Sequence, residues 1–295
     1  MITGREVAKI TRGKPIEAPS NKRDGLEKIV AYYSLFDENG RLAAGLGRVE
    51  IARTQEIIRR HLPPPPGVVL DVGGAAGRYS CWLAAEGYEA HLVDPVPAHV
   101  GMARKASARQ PEFPVAGLRV GDARRLDFSD AGADAVLLMG PLYHLVKAAD
   151  RLRALREAHR VLKAGGLLFA VGITRFASAL EAVINGFVAD DEFATILFRD
   201  LRDGQHRNPT RNQAFFTDAY FHRPEGLRRE VKKAGFDPVE MVMVDPFAYS
   251  YKDIESYWDD PVKQERLMDL LRRLEREPSL MGAGPHLMCV ARKPA

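Results

Sequence analysis

The stretch VVLDVGGAAGRY, residues 68–79, decides the fold. Its apolar first half predicts a buried strand, and the small residues after it predict a tight turn that leads into a helix. Such a turn lets the backbone approach a ligand closely and directs free N–H groups at it. A dinucleotide fingerprint needs glycine at the first, third and sixth turn positions, here Gly73, Ala75 and Arg78. The sequence therefore disfavours NAD, and Asp71 at the strand end favours a ligand that carries an ammonium group.

Short apolar runs alternate with helix-length segments around this stretch, a pattern typical of βαβ units with a buried parallel sheet. The predicted strands cover residues 68–72, 90–94, 118–122, 135–139, 166–173, 238–244 and 286–293. The predicted helices of this region cover residues 79–86, 98–109, 149–162 and 224–234. The double glycine at 165–166 predicts a cap and turn after the third of these helices.

The N-terminal part differs in character from the rest. Residues 1–23 are polar and aperiodic, which predicts a loose arm. Apolar residues at helical spacing predict two helices, over residues 26–36 and 46–62, that are joined around residues 37–40 and stopped by Pro63 to Pro66. We expect an arm at 1–23, a helical cap segment at 24–66, and a main domain at 67–295 with a lid insertion at 174–222 and a second insertion at 245–285.

Composition excludes several classes of protein. The 295 residues are 46% apolar and 28% charged, as in a globular chain, and no apolar run approaches the ~20 residues that cross a bilayer. The two cysteines, Cys81 and Cys289, cannot build a disulfide framework. The net charge of +4 comes from 43 basic and 39 acidic residues, largely interleaved, which disfavours nucleic-acid binding. Without an apolar leader segment, we expect a cytoplasmic location.

Acidic residues end the second and third predicted strands as well as the first. Asp94 stands about 20 residues after the turn, where a carboxylate accepts hydrogen bonds from both ribose hydroxyls. Asp122 can accept a hydrogen bond from the exocyclic amine of adenine. Any one aspartate can also serve as a turn former or helix cap. Together with Asp71, however, they form a row at the sheet edge where open α/β sheets bind ligands.

With these residues in place, the chain resembles the class I S-adenosylmethionine-dependent methyltransferases, strongly over residues 68–173 and more weakly over the last two strands. The segment DVGGAAG (71–77) is similar to the first motif of that family, and Asp94 to its ribose-binding acid. Gly121-Asp122-Ala123 is similar to the adenine motif, and RVLKAGG (160–166) to the signature before the fifth strand. The resemblance implies a Rossmann-like α/β fold with a seven-stranded, mostly parallel sheet, an antiparallel last strand and helices on both faces.

The resemblance also implies the cofactor, S-adenosylmethionine, and a set of residues around it. The expected cofactor-binding residues are Asp71, Gly73, Gly74, Gly77, Arg78, Asp94, Pro95, Asp122, Ala123, Met139 and Tyr33. More narrowly, MGPLYHL (139–145) and FTDAYFHRPEGL (216–227) resemble a bacterial subfamily of uncharacterised small-molecule methyltransferases, a likeness that brings no substrate with it.

The catalytic candidates are His144 and Tyr143, directly after the fourth strand, where this fold presents residues to the methyl group. An imidazole with an unperturbed pKa near ~6.5 suits removal of a proton from a hydroxyl or ammonium group. Alternatively, His144 caps a helix or binds backbone, and Tyr143 packs on the adenosine. Tyr33 lies on the first N-terminal helix, where an aromatic side chain can equally belong to the core.

The lid insertion is polar and rich in aromatic residues, as in a loop that recognises a polar or anionic small molecule or in a solvated loop with an aromatic anchor. The expected acceptor-binding residues are Tyr32, Phe176, Arg207, Tyr220 and His222. The acidic run 190–192 is interpreted as a helix N-terminus. Because the histidines are dispersed and none pairs at i, i+4, we expect no metal.

The predicted function is methyl transfer from S-adenosylmethionine to oxygen or nitrogen of a small metabolite. Methylation of nucleic acid or protein is the alternative, and a non-catalytic cofactor-binding module is a further one. Against nucleic acid, the fourth strand leads into GPLYHL (140–145) rather than an Asn/Asp-Pro-Pro-Tyr motif, and no basic stripe follows. We expect a small-molecule partner and no membrane, and the oligomeric state stays open.

Overall fold

The computed structural model describes residues 25–34, 40–41, 44–210, 212–251 and 253–295. The predicted arm at 1–23 and most of the helix junction at 37–40 lie outside these residues. The two N-terminal helices are α1, Gly25–Tyr33, and α2, Leu46–His61. No helix in the described ranges is both long and apolar enough to span a membrane.

Seven strands form one sheet: β1 Val68–Val72, β2 Glu89–Asp94, β3 Gly117–Val120, β4 Ala133–Leu138, β5 Leu162–Ile173, β8 Asp237–Met243 and β9 His286–Arg292. Their order in the sheet is β3-β2-β1-β4-β5-β9-β8. The last strand, β9, pairs antiparallel with both β5 and β8, whereas β1 to β5 pair in parallel. The predicted seven-stranded sheet with an antiparallel last strand is therefore confirmed. A separate small sheet contains β6, Gln205–His206, and β7, Ala219–Tyr220.

Helices cover both faces of the large sheet. The remaining helices are α3 Arg78–Ala85, α4 Pro97–Ser107, α5 Pro141–His144, α6 Ala148–Val161, α7 Ala177–Asn185, α8 Asp191–Asp203, α9 Pro224–Lys233, α10 Ile254–Trp258 and α11 Pro261–Leu274. Alternate residues of each strand point to opposite faces. Thus Leu70 packs with α6 and α9 in one core, whereas Val69 packs with α2 and α3 in the other. Burial on both faces explains why the central strands are continuous apolar runs.

The fifth strand begins earlier than its apolar run. Strand β5 starts at Leu162, directly after α6, and Leu162 already pairs with Ala133. The predicted cap and turn at 165–166 therefore lie within the strand, where Gly165 has a φ of +77° and the register against β4 shifts. Because Lys163 is polar, the apolar pattern predicted a later start for this strand. The Lys163 ammonium group binds the Asp134 carboxylate of β4 at 2.8 Å.

The segment between β5 and α9 builds a small core of its own. Phe193 packs against Phe187 and Phe215 there, with ring centroids 4.9–5.3 Å apart. The side chain of Asp190 caps α8 by accepting a hydrogen bond from the Phe193 N–H at 2.9 Å. The acidic run at 190–192 thus starts a helix, as the sequence indicated.

Arg151 ties α6 to its surroundings. Its side chain is 2% exposed, donates to Glu230 on α9 at 2.7 Å and lies 3.6 Å from the centroid of the Tyr220 ring. The same guanidinium donates to the carbonyls of Leu145 and Val146 at 2.9 and 2.7 Å. It therefore holds the segment that follows α5, and with it the position of His144.

Replacement of Arg151 by methionine is expected to lower the free energy of unfolding by ~3 kcal/mol, because it removes the guanidinium partner of the Glu230 carboxylate and of two carbonyls. Urea denaturation followed by circular dichroism measures the change. Arg153→Met, at an exposed site of the same helix, is the matched control and should stay within ~0.5 kcal/mol of the wild type. Equal stability of the two variants would contradict the role assigned to Arg151.

Candidate functional site

A cavity runs along the edge of the sheet at which the parallel strands end. The sequence-predicted residues that line it are Asp71, Gly73, Gly74, Arg78, Asp94, Pro95, Asp122, Ala123, Met139, Tyr33, Tyr143 and His144. Among the predicted cofactor residues, Gly77 is missing from this wall. A Cβ atom at Gly77 would lie 2.8 Å from Ala103 Cβ, so this glycine allows close packing between α3 and α4.

The turn after β1 requires small residues because its neighbours are very close. Gly73 has a φ of +77°, and a Cβ atom there would lie 2.6 Å from Pro141 Cδ. At Gly74, a Cβ atom would lie 2.5 Å from Asp71 Oδ2. The glycines therefore bring the turn against both the start of α5 and the end of β1, which keeps the backbone near the cavity.

Asp71 is buried at the end of β1 and anchors the start of α3. Its Oδ2 atom accepts hydrogen bonds from the Ser80 hydroxyl at 2.6 Å and the Ser80 N–H at 3.1 Å. Burial raises the pKa of Asp71 to about 6, against the hydrogen bonds from Ser80 that lower it. A carboxylate at this place becomes fully charged only above that pH.

Asp94 connects the end of β2 to the glycine-rich turn. Its Oδ2 atom accepts the Ala75 N–H at 2.9 Å, and Oδ1 accepts the Val96 N–H at 2.9 Å. His99 Nδ1 lies 3.1 Å from Oδ1. An ionised carboxylate has about four lone-pair sites. Since three are engaged, Asp94 keeps a fixed orientation and retains capacity for a ligand hydroxyl.

Asp122 lies beyond β3, at the next position of the row. The Arg124 guanidinium binds both of its oxygens, with Nη2 at 2.6 Å from Oδ2. Burial alone would raise the pKa of Asp122, but the hydrogen bonds from Arg124 hold it below its usual range. The row of three acids predicted from the sequence is thus brought together at one wall, each with a different partner.

His144 ends α5 beside the cavity, and Tyr33 reaches it from α1. The Tyr33 hydroxyl and His144 Nε2 are 2.8 Å apart. Burial lowers the pKa of His144 to about 3. The expectation of an ordinary imidazole pKa is therefore wrong, because desolvation disfavours the imidazolium form. His144 is neutral near pH 7 and stays so well below it.

The five expected acceptor residues do not line this cavity. Tyr220 lies under Arg151, and His222 is buried with Nε2 at 3.2 Å from Glu230. Tyr32 packs near Phe216, Arg207 donates to Gln205, and Phe176 lies near Arg223. Their contact with an acceptor stays a prediction.

Other residues complete the cavity that the sequence did not single out. Among them are Glu50 and Thr54 of α2, Val171 of β5, Val244 directly after β8, and His286 at the start of β9. His286 starts an antiparallel strand, so it lies at the edge where the parallel strands end. In the sequence, the position of His286 at the start of the last predicted strand was the signal that it lies at this edge.

Two of these lining residues, Glu50 and His286, form a group of potential metal ligands with the neighbouring Asp245. Glu50, Asp245 and His286 each place one ligand atom within 4.8 Å of the others. Glu50 is already bound by the Arg41 fork at 2.8 and 3.2 Å, and His286 Nδ1 lies 2.8 Å from Asp245 Oδ2. The expectation that no metal binds, which came from the dispersed histidines, stays a prediction. The three residues come from distant segments, so their spacing in the sequence did not indicate that they lie together.

Residues 70–170 match a family described as a methyltransferase domain. A C-methyltransferase of ubiquinone/menaquinone biosynthesis from Acidiphilium cryptum is 28% identical over 158 residues, which are 53% of this chain and 60% of that protein. A malonyl-[acyl-carrier protein] O-methyltransferase from Methylococcus capsulatus is 31% identical over 46% of this chain and 50% of its own length. The matches thus span about half the length of the curated relatives.

The fold has counterparts among solved structures. A SAM-dependent methyltransferase from Methanosarcina mazei superposes with a TM-score of 0.55 at 17% identity, covering 81% of this chain and 97% of that one. At this identity the similarity concerns the fold alone. This similarity agrees with the observed sheet order.

Affinity for S-adenosylmethionine should rise with pH through about 6, because Asp71 gains its full charge there and attracts the ligand's ammonium group. We expect the gain between pH 5 and 7 to be ~1 kcal/mol, or about fivefold in Kd, as measured by calorimetry. Asp71→Asn should remove the dependence, whereas Asp127→Asn, at a fully exposed site, should keep it. A pH-independent Kd in the wild type would contradict this assignment.

Asp94→Ala should weaken binding of S-adenosylmethionine by ~1.5–3 kcal/mol, the value of a hydrogen bond to a charged group. Calorimetry at pH 7.5 measures the loss. Asp130→Ala, which removes an exposed carboxylate that pairs with Arg160, serves as the control. Unaltered affinity in Asp94→Ala would show that the ribose does not bind at the end of β2.

Proposed function

We propose that the chain is a class I S-adenosylmethionine-dependent methyltransferase that methylates an oxygen or nitrogen of a small metabolite by in-line displacement, leaving S-adenosylhomocysteine. The methyltransferase-domain match over residues 70–170 and the fold support this proposal. One observation carries the proposal. A continuous cavity joins the acids at the ends of β1 and β2 to Tyr143 and His144 after β4. Asp94 and Asp122 would hold the nucleoside, and Asp71 the ammonium group.

The bound cofactor supplies a methyl group on a sulfonium, which is an excellent leaving group. What remains for the protein is mainly to hold the acceptor in line and exclude water, and positioning of this kind supplies much of a rate enhancement. The lining of the cavity serves both purposes. Tyr143 and Val171 contribute apolar surface, and α1 contributes Leu26, Ile29 and Tyr33 from above.

His144 is the proposed base for an acceptor that arrives protonated. As a neutral imidazole it has one nitrogen lone pair, and the Tyr33 hydroxyl fixes the orientation of its ring. Its low pKa makes it a weak base, which suits a proton that leaves as the acceptor becomes cationic during attack. Burial thus keeps His144 in the form that accepts a proton.

Transfer of isotopically labelled methyl from S-adenosylmethionine into cell extract tests the proposal, with products separated into small-molecule, RNA and protein fractions. Label in a small molecule is the expected result, and identification of that product gives the nucleophile. Label in RNA or protein would replace it with the macromolecular alternative. Binding of the cofactor without turnover of any acceptor would favour the non-catalytic alternative.

The cytoplasmic location and the division into cap, lid and main domain are part of the same proposal.

His144→Ala should lower turnover at least tenfold and leave the affinity for S-adenosylmethionine within twofold, because the imidazole accepts the proton that the methyl acceptor loses. Tyr33→Phe, which keeps the aromatic ring and removes the hydrogen bond, should lower turnover less.

The pH dependence gives a second measurement. The wild-type kcat should show no inflection near pH 6.5 attributable to His144, whose pKa is about 3. Unchanged turnover in His144→Ala would exclude the base and leave positioning as the only contribution of α5.

A further inference from the structure

Two consecutive phenylalanines of the insertion between β5 and α9 pack against different parts of the molecule. The ring of Phe215 belongs to the insertion's own core, where it packs on Phe187 and Phe193. The ring of Phe216 lies against His144 instead, with the ring centroids 5.7 Å apart and the ring planes at 34°. Because Phe215 already anchors the insertion, the contact of Phe216 with the proposed base needs a separate explanation.

The backbone of Phe216 is strained. Its φ is +61° and its ψ is −179°, a conformation that glycine adopts freely and that a residue with a side chain adopts only at an energetic cost. Such residues cluster at functional sites, where the surrounding structure maintains them. A glycine at this position would remove the strain, and Phe216 is not a member of the apolar core around Phe215. The strain is explained if the ring of Phe216 has a role of its own.

The side chain of Asn208 holds the turn that presents this ring. Its amide group donates to the carbonyls of Asn212 and Phe216 at 2.9 and 2.7 Å. Its Oδ1 atom accepts the Thr210 N–H at 2.9 Å, and the Asn208 N–H donates to Asp218 Oδ1 at 3.3 Å. One side chain thus binds both ends of the turn, so the chain's own hydrogen bonds maintain the strained conformation.

Aromatic rings enclose His144 on several sides. Phe216 and Tyr143 pack against one apolar cluster that includes Ile173 at the end of β5, and the rings of Tyr143 and His144 are 4.6 Å apart. The Tyr33 hydroxyl lies 2.8 Å from Nε2 of the imidazole, and Nδ1 is buried. Phe216 therefore contributes to the burial of the imidazole and restricts the rotation of its ring.

Burial has a larger effect on His144 than the polar groups around it. The titratable and charged side chains near the two rings are Tyr33 and Lys28 of α1, His99 of α4, Tyr143 of α5, and His206 and Asp218 of the insertion. Lys28 and Asp218 form an ion pair 3.2 Å long. Burial lowers the pKa of His144 to about 3, and the Asp218 backbone offsets only part of this shift. Access of water to the imidazole is therefore the quantity that a change at Phe216 alters.

We propose that Phe216 is a positioning residue for His144, and that Asn208 holds the turn that carries it. The phenylalanine ring fixes the orientation in which Nε2 of the imidazole meets the Tyr33 hydroxyl, and it keeps water from the imidazole. This inference rests on the proposed function and adds to it a role for the insertion in the methyl transfer. If Phe216 were only an anchor of the insertion, its loss would affect His144 no more than the loss of another ring of that segment.

Nuclear magnetic resonance of protein labelled in its eight histidines tests the proposal, with the His144 signals assigned from the spectrum of His144→Gln. Phe216→Gly removes the ring and suits the local φ, so this variant is expected to fold. His144 of the wild type should not titrate between about pH 5 and 8, whereas in Phe216→Gly it should titrate near ~6.5, because water reaches the imidazole. Transfer of labelled methyl from S-adenosylmethionine into the small molecules of cell extract should fall roughly fivefold or more.

Phe187→Ala is the matched control, because it removes a ring from the insertion's own core, 5.3 and 5.9 Å from the rings of Phe193 and Phe215. It should leave the titration of His144 unchanged. Phe216→Leu, which keeps apolar bulk, should raise the pKa of His144 less than the glycine variant does, and it replaces that variant if glycine prevents folding. Equal effects of the changes at 187 and 216, or an unaltered His144 in both Phe216 variants, would overturn the positioning role. Absence of any labelled small molecule from the wild type would instead refute the proposed function, and the titration would still decide whether Phe216 shields His144.

Discussion

The parallel pairing of β1 with β2 and β4 is the constraint on which the rest of the site depends. Because these strands run in the same direction, their carboxyl ends meet at one edge, and the residue that follows each strand faces the same cavity. Asp94 then fixes the turn itself, by accepting the Ala75 N–H at 2.9 Å. A carboxylate that shapes the loop is thereby also available to a ligand, so local structure and binding use one group.

Two histidines that line the cavity are both buried, yet their pKa values shift in opposite directions. His144 has a tyrosine hydroxyl as its partner, and desolvation lowers its pKa to about 3. His286 has two carboxylates nearby, and they outweigh the same desolvation and raise its pKa to about 9. Near neutral pH, one ring is therefore a hydrogen-bond donor and acceptor, and the other is a donor on both nitrogens. One cavity thus offers a proton acceptor near β4 and a cation near β9.

The insertions position the site without lining it. The segment between β5 and α9 forms its own aromatic core and, through Tyr220 and Arg151, holds the chain that follows His144. Helix α1 closes the cavity from above and is tied to the same segment by the Lys28–Asp218 ion pair, 3.2 Å long, and by contact of Tyr32 with Phe216. These contacts give the insertion a supporting role, and its predicted contact with an acceptor stays a prediction.

The sequence by itself determined the parallel sheet, the glycine-rich turn and the acids at three strand ends, because apolar periodicity and turn chemistry are local properties. The cofactor end of the cavity followed, since it consists of residues adjacent to predicted strands. Only the tertiary structure decided three features: the pKa of His144, the position of Tyr220 and His222 outside the cavity lining, and the proximity of Glu50, Asp245 and His286. The first depends on burial. The others depend on the proximity of segments as far apart as residues 50 and 286, which no local sequence pattern records.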